Sequence, residues 1–253
     1  MDAKEITDIA TGGGTLLLAA ATVGLGWYTK KAVVEAAEAR KVWKDIALDS
    51  ARARLDASAP AVSVYVDNSS WPPKAPNISG HLGNDWPAAH RWTSPRDDDQ
   101  RIALTLQVWL KNNSSNLIGV TWQGPFLLPN AIPIPEKGYT TNVLPDADFP
   151  LTFEAAFTLK QWAENWEAAE KGEPLPHRVE GSVTVDDISE NGVDDVWHID
   201  LTGAPVERLP DDHGKWQIAA DMEGKPKKGA IVWTTPVRHR TYWLSRSRQE
   251  RLG

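Results

Sequence analysis

The chain has 253 residues, with 27 Lys+Arg against 34 Asp+Glu for a formal charge of -7, and is 41% hydrophobic and 24% charged. That apolar content excludes a chain disordered throughout, and the acidic balance excludes whole-surface nucleic-acid binding while leaving room for a local basic patch. The absence of cysteine excludes disulfides, thiolate metal sites and a cysteine nucleophile.

The first element is a candidate membrane span. No charge occurs between Asp8 and Lys30, so Ile9–Thr29 offers 21 uncharged residues, against the roughly 20 that cross a bilayer as a helix. Leu16-Leu17-Leu18-Ala19-Ala20-Ala21 forms a strongly helical centre, and Trp27 and Tyr28 stand where aromatic rings favour the headgroup region. Gly12-Gly13-Gly14 softens the first turns, which keeps a buried core helix as one alternative. A signal peptide is another, opposed by the acidic start with Asp2, Glu5 and Asp8. The cations Lys30, Lys31, Arg40, Lys41 and Lys44 follow the segment, and the positive-inside rule places the remainder in the cytoplasm.

From Thr29 to about Ala57 the pattern stays helical, with Ala39, Val42, Trp43 and Ile46 on one face. No heptad is sustained long enough for a coiled coil, so this stretch is read as a stalk. Pro60 marks its end, because the residue before proline avoids the helical region.

Beyond Pro60 the period changes to two. Val62, Val64 and Val66 alternate with polar positions, and Ile102, Leu104, Leu106, Val108 and Leu110 alternate with Ala103, Thr105, Gln107 and Trp109. Further strands are predicted at Leu117–Gln123, Leu151–Phe157, Arg178–Asp186, Val196–Leu201, Lys215–Ala220 and Ala230–Thr235. Such alternation points to antiparallel sheets with one face buried. One helix interrupts it: Thr158 and Gln161 make a capping box, Leu159, Trp162, Trp166 and Ala169 an apolar stripe, and Gly172 with Pro174 a stop. The expected fold is mainly β, an immunoglobulin-like antiparallel β-sandwich with one inserted helix, preceded by a transmembrane helix and helical stalk. The expected divisions are an N-terminal segment 1–29, a stalk 30–58, the sandwich 59–237 and a basic tail 238–253.

The stretch Gly192–Val206, followed by Asp211-Asp212-His213-Gly214-Lys215-Trp216, resembles a hairpin recurring in uncharacterised single-pass membrane proteins of high-GC Gram-positive bacteria. The resemblance implies an N-terminal hydrophobic helix and a β-rich remainder, and no catalytic motif comes with it.

No residue set takes catalytic roles. GxSxG, P-loop, Rossmann and HExxH patterns are absent. Asp187, Ser189, Asn191 and Gly192 fit part of a calcium loop, but His198 occupies the position of the bidentate Glu, so an acidic hairpin tip is the better reading. No metal or cofactor is therefore expected. Two binding surfaces are. Trp71, Trp86 and Trp92 fall in the proline-rich stretch Asn68–Gln100, which reads as a long loop, and could form an aromatic surface for a sugar or peptide. The alternative is that they pin the loop to the sandwich. From Lys225 onward, eight cations face Glu250 alone. Arg238, Arg240, Arg246, Arg248 and Arg251, with Trp243, suit an anionic membrane surface, and nucleic acid is the rival partner. The function expected is a non-enzymatic, membrane-anchored interaction or scaffold protein. It would sit in the bilayer through Ile9–Thr29 and meet a protein partner of unidentified kind. The alternative is an outward-facing carbohydrate- or cell-wall-binding module using the loop tryptophans.

Overall fold

The computed structural model describes residues 3–75, 83–187, 192–210, 212 and 214–243, with the backbone alone described for residues 3–20, 68 and 187. The chain separates into two compact units, residues 1–54 and 55–252. The first is helical: α1 (Ala3–Ser58) runs unbroken for 56 residues, through the triple glycine. Its described apolar side chains lie open, with Val23 73%, Trp27 63% and Tyr28 70% exposed. Among the described residues no helix is long and apolar enough to cross a membrane. More than half of the expected span, residues 9–20, lies outside the residues whose side chains are described.

The second unit is built from β1 (Val62–Lys74), β2 (Arg91–Thr93), β3 (Arg101–Asn112), β4 (Ile118–Gln123), β5 (Phe126–Leu127), β6 (Tyr139–Val143) and β7 (Asp148–Thr158). After these come α2 (Leu159–Lys171), β8 (Val179–Asp187), β9 (Val193–Thr202), β10 (Val206–Arg208), β11 (Lys215–Ile218), β12 (Val232–Trp233) and β13 (Val237–Tyr242). Among the described residues strand outweighs helix, so the fold is mainly β. One antiparallel sheet has the order β1-β3-β7-β5; a second runs β12-β9-β8-β4-β6 with β13 also on β9; a small third sheet is β10-β11-β2.

The two larger sheets face each other in a sandwich-like arrangement. Ile102, Leu104, Leu106, Val108 and Leu110 are all fully buried, and across the gap Val183, Ile199 and Leu201 are as well. Trp122 of β4 packs edge-on against Phe126 of β5 at 5.2 Å between ring centroids, which links the sheets directly. The close approach requires a residue without a side chain at Gly181, where a Cβ would lie 2.6 Å from the Phe153 ring. β3 does not alternate along its whole length: Ala103 and Thr105, on its other face, are 1% and 4% exposed, so that end of the strand is covered on both sides.

The helix forms as its sequence requires. Thr158 caps α2, its hydroxyl accepting from the Gln161 amide while the Gln161 side chain accepts from the Thr158 amide. Gly172 closes it at φ 70, a left-handed conformation that glycine adopts without a Cβ penalty. The buried face differs from the expected stripe: it is Leu159, Trp162, Asn165 and Ala168, while Trp166 is half-buried and Ala169 exposed. Asn165 belongs there because its amide is fully used, as described below.

Two expectations about boundaries change. The stretch from Asn68 is not loop at its start, since β1 continues to Lys74 with register shifts after Val66 and after Ser70. Residues Val237–Tyr242 are no appendage either, because β13 pairs with β9 from Val237↔His198 to Tyr242↔Val193. The expected acidic hairpin tip spans Asp186–Gly192, and its residues 188–191 lie outside the described residues.

Candidate functional site

The three loop tryptophans do not form an exposed platform. Trp71 is half-buried in β1 and its indole donates to the Gly224 carbonyl at 2.9 Å. Trp92 is fully buried, drawn inside because β2 pairs with β11 and sets Trp92 opposite Trp216. Trp86 lies beside it, 5.3 Å away between ring centroids, with His90 4.6 Å from Trp86 and 4.8 Å from Trp92. An indole carries a large apolar area, and burying it here fastens the loop to the core. Trp92 therefore has no face for a ligand, and the pinning alternative describes the geometry. His90 completes a cluster that spacing alone did not single out.

The basic C-terminal residues divide. Arg240 is spent inside the fold: it donates to both Asp195 carboxylate oxygens at 2.7 and 2.5 Å and to Asp56 at 2.6 Å. The Asp195 side chain is only 4% exposed. A carboxylate so buried needs a hydrogen-bonded cation, and Arg240 supplies a two-pronged one. The Tyr242 hydroxyl also donates to Asp56 at 2.8 Å. Hydrogen bonding from Arg240 holds the Asp56 carboxyl below its ordinary range, and Asp195 raises the Arg240 guanidinium further. The Trp243 indole donates to Asp194 at 2.7 Å, and its amide to the Gly192 carbonyl at 2.8 Å. Arg240 and Trp243 are thus structural ties rather than free membrane contacts. Arg238 is exposed on β13, and Arg246, Arg248 and Arg251 lie outside the described residues.

The outer face of the first sheet carries a constellation the sequence did not group. Side chains alternate along β3, so Thr105, Gln107 and Trp109 point away from the core. In register, Thr105 lies beside Glu154, Gln107 beside Thr152, and Trp109 between Pro150 of β7 and Tyr65 of β1. β1 has two register shifts along this edge, after Val66 and after Ser70, while Lys74 still pairs with Ala103. There a groove of about 300 Å³ opens, lined by Ser69, Ser70, Lys74, Thr105, Gln107 and Thr152.

Its polar groups are unevenly engaged. Lys74 is paired with Asp85 at 2.5 Å, and the Gln107 amide nitrogen donates to the Leu151 carbonyl at 3.2 Å. The hydroxyls of Ser69, Ser70, Thr105 and Thr152 have no hydrogen-bond partner among the described residues. Glu154 Oε2 is buried without one as well, and burial pushes this carboxyl above its ordinary pKa, opposed in part by Arg101. Glu154 occupies a polar position of an alternating strand, which the sequence marks as solvent-facing. Only the tertiary cover around it makes it unusual.

A second concavity, about 320 Å³, lies between α2 and the small sheet. Arg208 stacks there on Trp166 and Trp216, 5.5 and 5.2 Å from their ring centroids, and pairs with Glu167 at 2.7 Å. Glu164 meets His177 at 2.5 Å. Arg208 and Glu167 are thus engaged with each other, while Lys160 and Asp98 also line the cleft. Comparison with protein-family models finds no match, and comparison with curated proteins finds none either.

Proposed function

We propose that the protein is a membrane-anchored, non-enzymatic binding module: α1 inserts in the bilayer at its N-terminal end and the β unit, an immunoglobulin-like sandwich in shape, recruits a partner or ligand. The observation that carries this reading is the single unbroken helix Ala3–Ser58, which contains the charge-free Ile9–Thr29. At about 1.5 Å per residue, residues 30–58 add some 43 Å of helical stalk beyond the span. A core helix would need protein against its apolar side chains, whereas Leu25, Trp27 and Tyr28 are 68%, 63% and 70% exposed. Lipid satisfies them instead, with Trp27 and Tyr28 at headgroup depth. The cations that follow favour a cytoplasmic β unit.

Support for a binding role comes from the β unit, whose outer sheet face carries a groove lined by serine and threonine hydroxyls, the Gln107 amide and Lys74. The outward-facing alternative loses the aromatic platform it relied on, because Trp92 is buried. Membrane extraction with carbonate tests the anchoring, and protease accessibility of a C-terminal tag in intact cells tests the side.

A further inference from the structure

We infer that the outer face of β1, β3 and β7 binds a neutral oligosaccharide, with Tyr65 and Trp109 stacking on a sugar ring and the adjoining groove hydrogen-bonding its hydroxyls. The inference rests on the binding-module reading but is independent of the anchor and of the side of the membrane.

The chemistry of the lining selects the ligand class. Ser69, Ser70, Thr105 and Thr152 each offer a hydroxyl that both donates and accepts, and none is used by the described protein. Gln107 has its nitrogen committed to Leu151, which fixes the side chain and leaves Oε1 as an acceptor. Glu154, beside Thr105 in register, is not part of the lining, and its unpartnered Oε2 is buried beneath the face. Such a set matches a ligand whose groups also donate and accept at once, as sugar hydroxyls do.

An aromatic surface completes it. Tyr65 is 41% exposed and is the register partner of Trp109. Trp109 stands two residues from Gln107 on the same face, about 7 Å along the strand. A sugar ring laid over the aromatic pair would place its hydroxyls toward Gln107 and Thr152. The groove volume of about 300 Å³ suits a short stretch of chain, with Tyr65 and Trp109 beyond its Gln107 end.

Competing ligand classes fit less well. An extended peptide adds to a sheet through free backbone groups at an edge, which here is the far side of β1, whereas across the groove face β3 and β7 are paired from Arg101↔Thr158 to Lys111↔Asp148. An anion would meet Lys74 already held by Asp85, with no other cation among the described lining residues.

The test uses the full chain in a detergent without a sugar headgroup, titrated with cellohexaose, chitohexaose, mannohexaose and maltohexaose while tryptophan fluorescence and calorimetry are recorded. At least one should bind with a change in tryptophan emission. Gln107→Ala should weaken that binding about tenfold, the usual loss for one hydrogen bond between ligand and site. Thr152→Trp should abolish it by filling the groove, and Arg208→Ala, in the other cleft, should leave it unchanged. Circular dichroism checks that each variant is folded, and Gln107→Ala, a partly exposed position, keeps the test decisive if the bulkier substitution misfolds. Failure of all four sugars to bind, binding that survives both groove substitutions, or binding of heparin alone would overturn the inference. None of those outcomes touches the anchoring, which carbonate extraction decides separately.

Discussion

Replacing Asn165 should loosen the end of the sandwich that α2 covers. The Asn165 amide nitrogen donates to the carbonyls of His177 and Gly203, both at 2.8 Å, with Thr202 Oγ1 further off at 3.3 Å. Its oxygen accepts from the His177 amide at 2.8 Å. Asn165→Ala strands the His177 N–H and the Gly203 carbonyl; the His177 carbonyl keeps a bond from Thr202 at 2.6 Å. An orphaned buried polar group costs roughly 1–3 kcal/mol, and one of these two is only partly buried, so the expected loss is about 2–4 kcal/mol. Asn165→Asp should cost more despite its matching shape, because it sets a carboxylate against two carbonyl oxygens in place of two donors. Guanidinium unfolding of the chain from Leu55 onward, followed by tryptophan emission, measures both, with the midpoint shifted and the slope unchanged. A midpoint for Asn165→Ala indistinguishable from the parent, or Asn165→Asp more stable than Asn165→Ala, would refute the reasoning.

Leu106→Ala should cost about 2–5 kcal/mol by the same assay, as expected of a fully buried leucine, while Gln107→Ala should cost under about 1 kcal/mol; equal losses would contradict the two-faced reading of β3. Glu154 has a raised pKa in the fold, so its contribution to stability is full below the ordinary value of 4.5 and is lost as pH rises through the folded value. Glu154→Gln should therefore raise the melting temperature at pH 7, with the gain shrinking toward pH 4; a gain independent of pH would contradict the burial of that carboxyl. Ending the chain after Pro236 removes β13 and leaves Asp195 buried without Arg240, which should cost about 3–5 kcal/mol; an undisturbed melting curve would make β13 dispensable.

Much of the β unit is legible wherever burial is one-sided or capping is local. Alternation marks β3 because Ile102 to Leu110 face one core, and Thr158 and Gln161 mark α2 because a capping box lies within four residues. Short strands escape. β2, β5 and β10 have two or three residues each, too few to express a period, and tertiary pairing alone makes them strands. β13 escapes for a different reason: Val-Arg-His-Arg-Thr-Tyr reads as a basic tail until Asp195, across the ladder, gives Arg240 an interior partner. Asn165 hid within a helical stripe because sequence assigns amides to the wet face, and only the carbonyls of His177 and Gly203 draw it in. The groove was hidden in the same way. Thr105, Gln107 and Thr152 are ordinary outward positions of two strands, and register alone places them together.

The anchoring claim is tested most directly by alkaline carbonate extraction of membranes from cells producing three chains: the full sequence, the chain from Leu55 onward, and full-length Leu17→Arg. A cation at the centre of a span costs about 2.5–3.5 kcal/mol on insertion scales. The full chain should remain in the membrane pellet after extraction, the chain from Leu55 should be in the soluble fraction and folded, and Leu17→Arg should shift a large share of the protein out of the pellet. A full-length chain released by carbonate, or one indifferent to Leu17→Arg, would contradict the anchor.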